Sequence, residues 1–378
     1  MFPFISDNQK AFTSPAPDDG RLPLLVALRA IAALIIVWHH FAIYPPLRAW
    51  AAPLVGDALD WLAVHARTTQ VFFVIGGYVM ARTMNDGHWD RQRVGNFLKQ
   101  RYFRLGLPYL GAIALVIPIA TFARGWVPDE VLGEPVTLAQ MLAHLFFLQD
   151  ILGYEQLSAG LWFVCINIQL CVLYAASLWL RDSIGQRRVD FVGIIGWSLA
   201  ILSLFYLNLD ASWDRWAVYF LPYFFMGTIV HRALRSNGPR IEFWLYLALL
   251  VVATGIEWRW RLAVAGALGL LLFAAEGNGF SARWPRNGLI ARLGEVSFSL
   301  FLVHFPMLLL VSAIWARLEW TSPAAAICGL LTAFLASVAE AFAFHRWIET
   351  PAARLARRRH GHAPKVLPGA AGPRTQAA

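Results

Sequence analysis

The chain has 378 residues, of which 58% are hydrophobic and only 15% are charged. A soluble domain is about 45–50% apolar and about 25% charged, so this composition argues against a soluble fold. The formal net charge is +9, and a basic balance of this size fits either nucleic acid or a membrane surface.

Ten apolar segments, most of them about 17 to 25 residues long, can cross the hydrocarbon core of a bilayer as helices. A further apolar segment, 138–152, contains His144, Gln149 and Asp150 and is too short to span, so we interpret it as an interfacial or re-entrant helix. The predicted fold class is all-α, a polytopic membrane bundle of about ten transmembrane helices. The predicted spans are residues 22–44, 62–82, 103–123, 157–180, 190–208, 216–234, 241–257, 262–275, 293–315 and 323–345.

The basic residues support this topology, because Lys and Arg concentrate in cytoplasmic loops. With the N-terminus inside, 24 of the 32 Lys and Arg residues fall in cytoplasmic segments, 7 fall in outer segments, and Arg29 lies within a span. The membrane topology therefore accounts for the net positive charge without a nucleic-acid partner. Both termini are predicted to be cytoplasmic. The predicted domains are a cytoplasmic arm at 1–21, a membrane domain at 22–350, and a basic, disordered tail at 351–378 that suits anionic lipid headgroups.

Charged groups inside a span are costly and are functional candidates. Arg29 and His40 are eleven residues apart in the first span, which is three helical turns to within about 20°, so their side chains lie on one face roughly 16 Å apart. Spacing alone leaves two interpretations open. The pair lines one wall of a site, or Arg29 snorkels to the interface and His40 bonds a neighbouring carbonyl. His39 points elsewhere and is interpreted as structural.

Six sequence segments occur in the order typical of one family. They resemble the landmarks of the acyltransferase-3 family, membrane O-acyltransferases marked by an Arg, ten intervening residues and a His. The resemblance covers about residues 22–358. The segments are LRAIAALIIVWHHF (28–41), VFFVIGGYVM (71–80), FLKQRYFRLGLPY (97–109), LWFVCINIQL (161–170), LGEVSFSLFLVHFP (293–306) and HRWIETPAARLARR (345–358).

The resemblance implies transfer of an acyl group, with acetyl expected, from cytoplasmic acyl-CoA to a hydroxyl of a glycan at or beyond the outer face of the bacterial inner membrane. His40 would act as the general base, because imidazole accepts a proton near neutral pH. Arg29 would bind a donor phosphate through charge-assisted hydrogen bonds. Arg101 and Arg104 are expected to bind donor phosphates too. Arg82 joins them, with ordinary positive-inside charge as its alternative.

Four residues are candidates for the substrate pocket. Trp162 and Gln169 lie two turns apart on one helix face, although core packing explains Trp162 equally well. His304 matches a family position beside a proline, and structural bonding is its alternative. Glu340 is an intramembrane carboxylate that pairs with an Arg or a His, or orients His40.

Three positions depart from the family pattern. Val26 stands where Asp is frequent, Gly76 where Ser is usual, and Asn167 where Glu is usual. These departures leave no carboxylate at Asn167 and bear on acceptor specificity, but they do not touch Arg29 or His40.

The sequence lacks the motifs of other catalytic mechanisms. The sequence contains no HxxxD, GxSxG, GxxxxGK[ST] or HExxH motif, and its cysteines lack metal-ligand spacing, so no metal is expected. Two alternatives stay open. In the first, the acceptor is not a glycan but a macrolide or a lipid-linked intermediate. In the second, the chain is a transporter or flippase in which the intramembrane Arg, His and Glu residues form a relay.

Overall fold

The protein is described from a computed structural model. The described part of the chain is all-α apart from one isolated bridge between Arg124 and Val127. The predicted arm at 1–21 lies outside the described residues, as does the tail beyond residue 358. The structure describes residues 22–84, 87–185, 190–235, 238, 240–284 and 288–358.

Seventeen α-helices follow one another along the described residues. Two π-helical turns, Tyr102–Gly106 and His345–Glu349, join α4 to α5 and α16 to α17, and two short 3-10 turns, Leu207–Leu209 and Ala211–Trp213, precede α10. The helices are α1 Pro23–Ile43, α2 Leu47–His65, α3 Thr69–Met84, α4 Arg91–Arg101, α5 Leu107–Ala123, α6 Asp129–Leu132, α7 Leu138–Leu145, α8 Leu161–Ser183, α9 Phe191–Phe205, α10 Ala217–Leu234, α11 Arg240–Ile256, α12 Trp260–Gly277, α13 Phe280–Arg283, α14 Leu289–Glu295, α15 Ser297–Arg317, α16 Pro323–Phe344 and α17 Thr350–Arg358.

Helices occupy all ten positions predicted to span the membrane, namely α1, α3, α5, α8 to α12, α15 and α16. Seven helical stretches of the described chain are long and apolar enough to cross a bilayer, and they contain α1, α5, α8, α9, α12, α15 and α16. The remaining three, α3, α10 and α11, have 16, 18 and 17 residues. The prediction of an all-α polytopic bundle is confirmed, and the chain is an integral membrane protein.

The second predicted span starts too early. Residues 62–65 belong to α2, which ends at His65, and α3 begins only at Thr69. His65, Arg67 and Gln70 interrupt the apolar pattern here, and the turn between the two helices falls within this polar stretch.

Two glycines set the crossing of α3 and α10. A Cβ atom on Gly77 would lie 1.8 Å from the carbonyl oxygen of Phe224, and one on Gly227 would lie 1.8 Å from that of Val74. The two backbones are therefore in direct contact, as small residues allow between membrane helices. This crossing fixes α3 near the centre of the bundle.

The predicted re-entrant segment is a short helix followed by a folded loop. Thr137 caps α7 by accepting a hydrogen bond from the backbone of Gln140 at 3.1 Å. His144 donates from Nδ1 to the Gln140 carbonyl at 2.9 Å, and its Nε2 accepts the N–H of Leu157 at 3.5 Å. The loop then meets α15, because a Cβ on Gly160 would lie 2.6 Å from the carbonyl oxygen of Phe301.

The two π-helical turns belong to two of the family-like segments and lie close together. α17 packs against Tyr102–Gly106, and Gly111 of α5 faces Ile348, whose Cγ2 would lie 3.1 Å from an added Cβ. Glu349 accepts hydrogen bonds from the Ser299 hydroxyl at 2.6 Å and from His345 Nδ1 at 3.0 Å. These contacts join the start of α15 to the end of α16.

Candidate functional site

Two buried histidines from distant parts of the chain meet at the centre of the site. Nδ1 of His40, on α1, lies 2.9 Å from Nε2 of His304, on α15. Their rings stack with centroids 4.8 Å apart, and their exposed fractions are 6% and 0%. The structure thus joins the predicted base directly to His304, which the sequence predicts as a pocket residue with structural bonding as the alternative. We call this pair the histidine dyad.

Hydrogen bonding assigns the tautomer of both rings when both are neutral. Nδ1 of His304 lies 3.2 Å from the carbonyl oxygen of Leu300, which can only accept, so this nitrogen carries the hydrogen. Nε2 of His304 then holds a lone pair and accepts the Nδ1–H of His40. The remaining nitrogen, Nε2 of His40, is left with a lone pair, which is the state that a general base needs.

Aromatic rings flank the dyad. The Tyr44 ring stacks over His40 with centroids 6.1 Å apart and meets Phe305 edge to face at 4.8 Å. His39 turns away toward α2, where its Nδ1 lies 3.4 Å from the Leu62 carbonyl oxygen. The two neighbouring histidines therefore have different surroundings, and only His40 bonds to α15.

The predicted donor-binding arginines lie on α1 and on the basic connection between α3 and α5. Arg29 is half-buried on α1, about three turns before His40. Arg101 ends α4, where its Nη2 lies 3.0 Å from the sulfur of Met80 and its guanidinium stands 5.3 Å over the Phe97 ring. No carboxylate of the described residues lies within ion-pair distance of Arg101.

The other two arginines of this group are exposed. Arg82 lies at the end of α3, two residues after Met80, and Arg104 lies in the π-helical turn that follows α4. The contact of Arg101 with Met80 therefore brings the end of α3 to the end of α4, where the π-helical turn leading to α5 begins. Arg82, Arg101 and Arg104 all belong to this one junction.

Comparison with known proteins agrees with this arrangement. The sequence model of the acyltransferase-3 family, an acyltransferase domain, matches residues 25–341. The chain belongs to the acyltransferase-3 family. It is therefore a membrane acyltransferase, and the matched range contains all the candidate site residues. Neither the curated proteins nor the solved structures searched contain a match to the chain.

Two predicted pocket residues of this acyltransferase make contacts away from the dyad. Trp162 packs among aromatic rings, with centroids 6.4 Å from Phe73 and 5.2 Å from Phe220. Gln169 donates from Nε2 to the sulfur of Cys165 at 3.2 Å and accepts the first backbone N–H of α10 at 3.3 Å. In the structure these residues join α8 to α3 and α10.

Glu340 is not the hydrogen-bond partner of His40 in the structure. It is half-buried on α16 and makes no hydrogen bond or ion pair within the described chain. One turn earlier, Ser337 donates to the Ala333 carbonyl at 2.7 Å and lies 3.5 Å from the His304 carbonyl oxygen. The partner of His40 is a second imidazole instead of a carboxylate.

Two of the departures from the family pattern are neighbours in space. A Cβ on Gly76 would lie 3.6 Å from Oδ1 of Asn167. Gly76 has no side chain and Asn167 has an uncharged amide, so neither of these two neighbouring positions carries a carboxylate.

Two polar residues of the predicted re-entrant segment, to which the sequence assigns no role in the site, lie in the loop that follows α7. Gln149 is fully buried and Asp150 is partly buried in this loop, next to Cys165 of α8. Their polar character within an apolar segment was the available signal. In the described part of the acyltransferase, no three His, Cys, Asp or Glu side chains are grouped as metal ligands.

Proposed function

We propose that this acyltransferase moves an acyl group, with acetyl expected, from cytoplasmic acyl-CoA to a hydroxyl of an extracytoplasmic glycan, with His40 as general base. The observation that carries the proposal is the buried dyad, in which His304 accepts the Nδ1–H of His40 and leaves Nε2 of His40 free. Membership in the acyltransferase family supports the reaction class.

The reaction balances with these residues. Nε2 of His40 takes the proton of the acceptor hydroxyl as its oxygen attacks the thioester carbonyl. The new C–O bond forms, the C–S bond breaks, and the proton passes from His40 to the departing sulfur, which leaves as the CoA thiol. His304 accepts the Nδ1–H of His40 throughout. This hydrogen bond favours the imidazolium that His40 forms between the two proton transfers.

The arginines fit the phosphate groups of the donor. Arg29 lies about 16 Å along α1 from His40, so a phosphate near Arg29 leaves room for the pantetheine arm to reach the dyad. Arg101 has no carboxylate partner in the described chain and is available to a phosphate. Arg82 and Arg104 add positive charge at the same junction.

The acceptor and the membrane are proposed on other grounds. A glycan acceptor and the bacterial inner membrane follow from the family resemblance, with a macrolide or a lipid-linked intermediate as the alternative acceptor. The basic residues support cytoplasmic termini. A transporter relay gains no support, because Glu340 makes no contact with the dyad.

Paired substitutions test the base. His40→Ala should lower the transfer rate by about 10²- to 10⁴-fold while yield and CoA binding persist, and His39→Ala should lower it far less. If His40 were only structural, its replacement would instead lower the folded yield. Removing the imidazole would leave a buried hydrogen-bonding group unpaired, which costs about 1–3 kcal/mol. Well-folded His40→Ala protein with near wild-type transfer would remove this mechanism.

A cell-based measurement names the substrates. Mass spectrometry of surface glycans from cells with and without the gene should show the loss of one acyl mass from one glycan. That mass gives the acyl group, and the glycan that loses it is the acceptor. Unchanged acylation of every glycan would count against a glycan acceptor.

A further inference from the structure

A cluster of buried polar side chains lies between α5, the loop after α7 and the start of α8. Gln156 donates from Nε2 to Oδ1 of Asp150, and Gln149 Nε2 lies 3.4 Å from Oε1 of Gln156. The Tyr109 hydroxyl, on α5, lies near the Gln149 amide. Ser158 follows on the same loop. We call these five residues the loop cluster.

Four atoms of the loop cluster have no hydrogen-bond partner although they are buried. They are the hydroxyl of Tyr109, Oε1 of Gln149, Oδ2 of Asp150 and the hydroxyl of Ser158. The exposed fractions of Tyr109, Gln149 and Ser158 are 0%, 0% and 2%. Buried polar atoms are nearly always paired, so these atoms, on one loop and on the neighbouring α5, point to a site built for a partner.

The chemistry of these atoms selects the partner. The amide and carboxylate oxygens accept hydrogen bonds, and the two hydroxyls both donate and accept. A ligand that satisfies them all needs several O–H groups. A phosphate fits poorly, because the loop cluster contains a carboxyl group and no basic side chain. A carbohydrate supplies many hydroxyls and no required charge.

The loop cluster leads to the dyad at one end. Ser158 lies between Leu157 and Ala159, which belong to the same apolar cluster as Phe305 and Tyr44. Those two rings flank the dyad. A ligand hydroxyl that binds at Ser158 is thus held on the stretch of chain that borders the catalytic pair.

The other end of the cluster faces the connection between α9 and α10. The charges of Asp214 and Arg215, both exposed on that connection, act on Asp150. The charge distribution along the sequence assigns this connection to the outer side. Burial raises the pKa of Asp150 above its ordinary value.

We infer that Tyr109, Gln149, Asp150 and Ser158 form the acceptor-binding site and that its ligand is a polyhydroxyl compound, a carbohydrate chain reaching the dyad from the outer side. This inference rests on the proposed function, because it assigns the acceptor of that reaction. These four residues position the acceptor hydroxyl for His40 and take no proton themselves.

The test uses the full chain in lipid nanodiscs with radiolabelled acetyl-CoA. The acceptor probe is envelope polysaccharide from the host, stripped of its acyl groups with alkali. Gln149→Leu, Tyr109→Phe and Ser158→Ala remove cluster atoms singly. Ser312→Ala is the matched control, since this serine is also buried and without a partner but lies on α15, eight residues beyond His304.

The cluster variants should raise the acceptor KM about 5- to 100-fold, as expected for removing one partner of a buried hydrogen bond. The dissociation constant of acetyl-CoA and the unfolding temperature should stay at wild-type values. Ser312→Ala should match wild type in all three measurements. Tyr109→Phe and Ser158→Ala remove only a hydroxyl, so they keep the test valid where Gln149→Leu fails to fold.

Each contrary result has its own meaning. An unchanged acceptor KM in the cluster variants overturns the inference, and so does a weakened acetyl-CoA affinity in its place, which would assign the cluster to the donor. A lower unfolding temperature with an unchanged KM shows a structural network only. Wild-type protein that consumes acetyl-CoA without labelling polysaccharide removes the carbohydrate assignment, whereas protein that does neither removes the proposed function.

Discussion

Replacing His304 with phenylalanine is expected to slow acyl transfer while the bundle stays folded. Nε2 of His304 lies 2.9 Å from Nδ1 of His40 and fixes which nitrogen of His40 holds the proton. Phenylalanine keeps a ring of similar size between α1 and α15 but offers no acceptor. The Nδ1–H of His40 then has only the Ile36 carbonyl, one turn earlier on α1, as a neighbouring acceptor.

The magnitude follows from the unmet hydrogen bond. A buried polar group without a partner costs about 1–3 kcal/mol, and about 1.4 kcal/mol corresponds to a factor of ten in rate. Because the Ile36 carbonyl compensates in part, His304→Phe should lower kcat by about 5- to 30-fold, toward the low end of that range. His304→Gln restores an acceptor oxygen, so it should recover most of the loss.

The assay measures release of the CoA thiol at saturating donor and acceptor, with thermal unfolding of each variant as the control. The expected order of kcat is wild type, His304→Gln, His304→Phe and His40→Ala, from fastest to slowest. A His304→Phe variant that works at the wild-type rate would refute the argument. Equal rates for the Gln and Phe variants would also refute it, because a hydrogen-bond acceptor at this position would then be irrelevant.

Three further outcomes are expected. Arg101→Ala and Arg104→Ala should each weaken apparent donor affinity while the protein still inserts into the membrane. Unchanged affinity in both variants would mean that these arginines contribute only to the positive charge of the cytoplasmic side. Gly227→Ala should destabilise the bundle by about 1–3 kcal/mol or more, because its Cβ would meet a carbonyl oxygen of α3 at 1.8 Å, whereas Gly255→Ala, with no atom within 4 Å, should unfold like wild type. A cysteine at Glu130 should be labelled from outside intact cells, and labelling only from the cytoplasmic side would reverse the topology.

The spans were predictable because membrane crossing is a local property. Length and apolarity over some twenty residues suffice, and a helix satisfies its own backbone inside the bilayer. The exception is instructive. The segment beginning at 62 was predicted as one span, but α2 ends at His65 and α3 starts at Thr69. The polar residues His65, Arg67 and Gln70 lie where the two helices separate, so the sequence itself marks this boundary.

The Arg29 and His40 spacing was predictable for the same reason, since both residues lie on a single helix whose geometry is fixed by its period. The partner of His40 was not. From the sequence, Glu340 is one expected partner and His304 is a candidate for the pocket, and the two lie on adjacent helices in a hairpin. Which of them meets α1 depends on how α15 and α16 rotate against it, and no local pattern contains that rotation.

The sequence by itself determined the class of the molecule, the positions of its membrane helices, its charge asymmetry and the face shared by Arg29 and His40. Tertiary structure alone decided the dyad, the Gly77 and Gly227 crossing and the loop cluster. The division has a physical cause. Helix formation and insertion depend on neighbours a few residues apart, whereas His40 and His304 are 264 residues apart in the chain. Such pairs form only when packing between helices selects one arrangement, which the hydrophobic pattern of each helix leaves undecided.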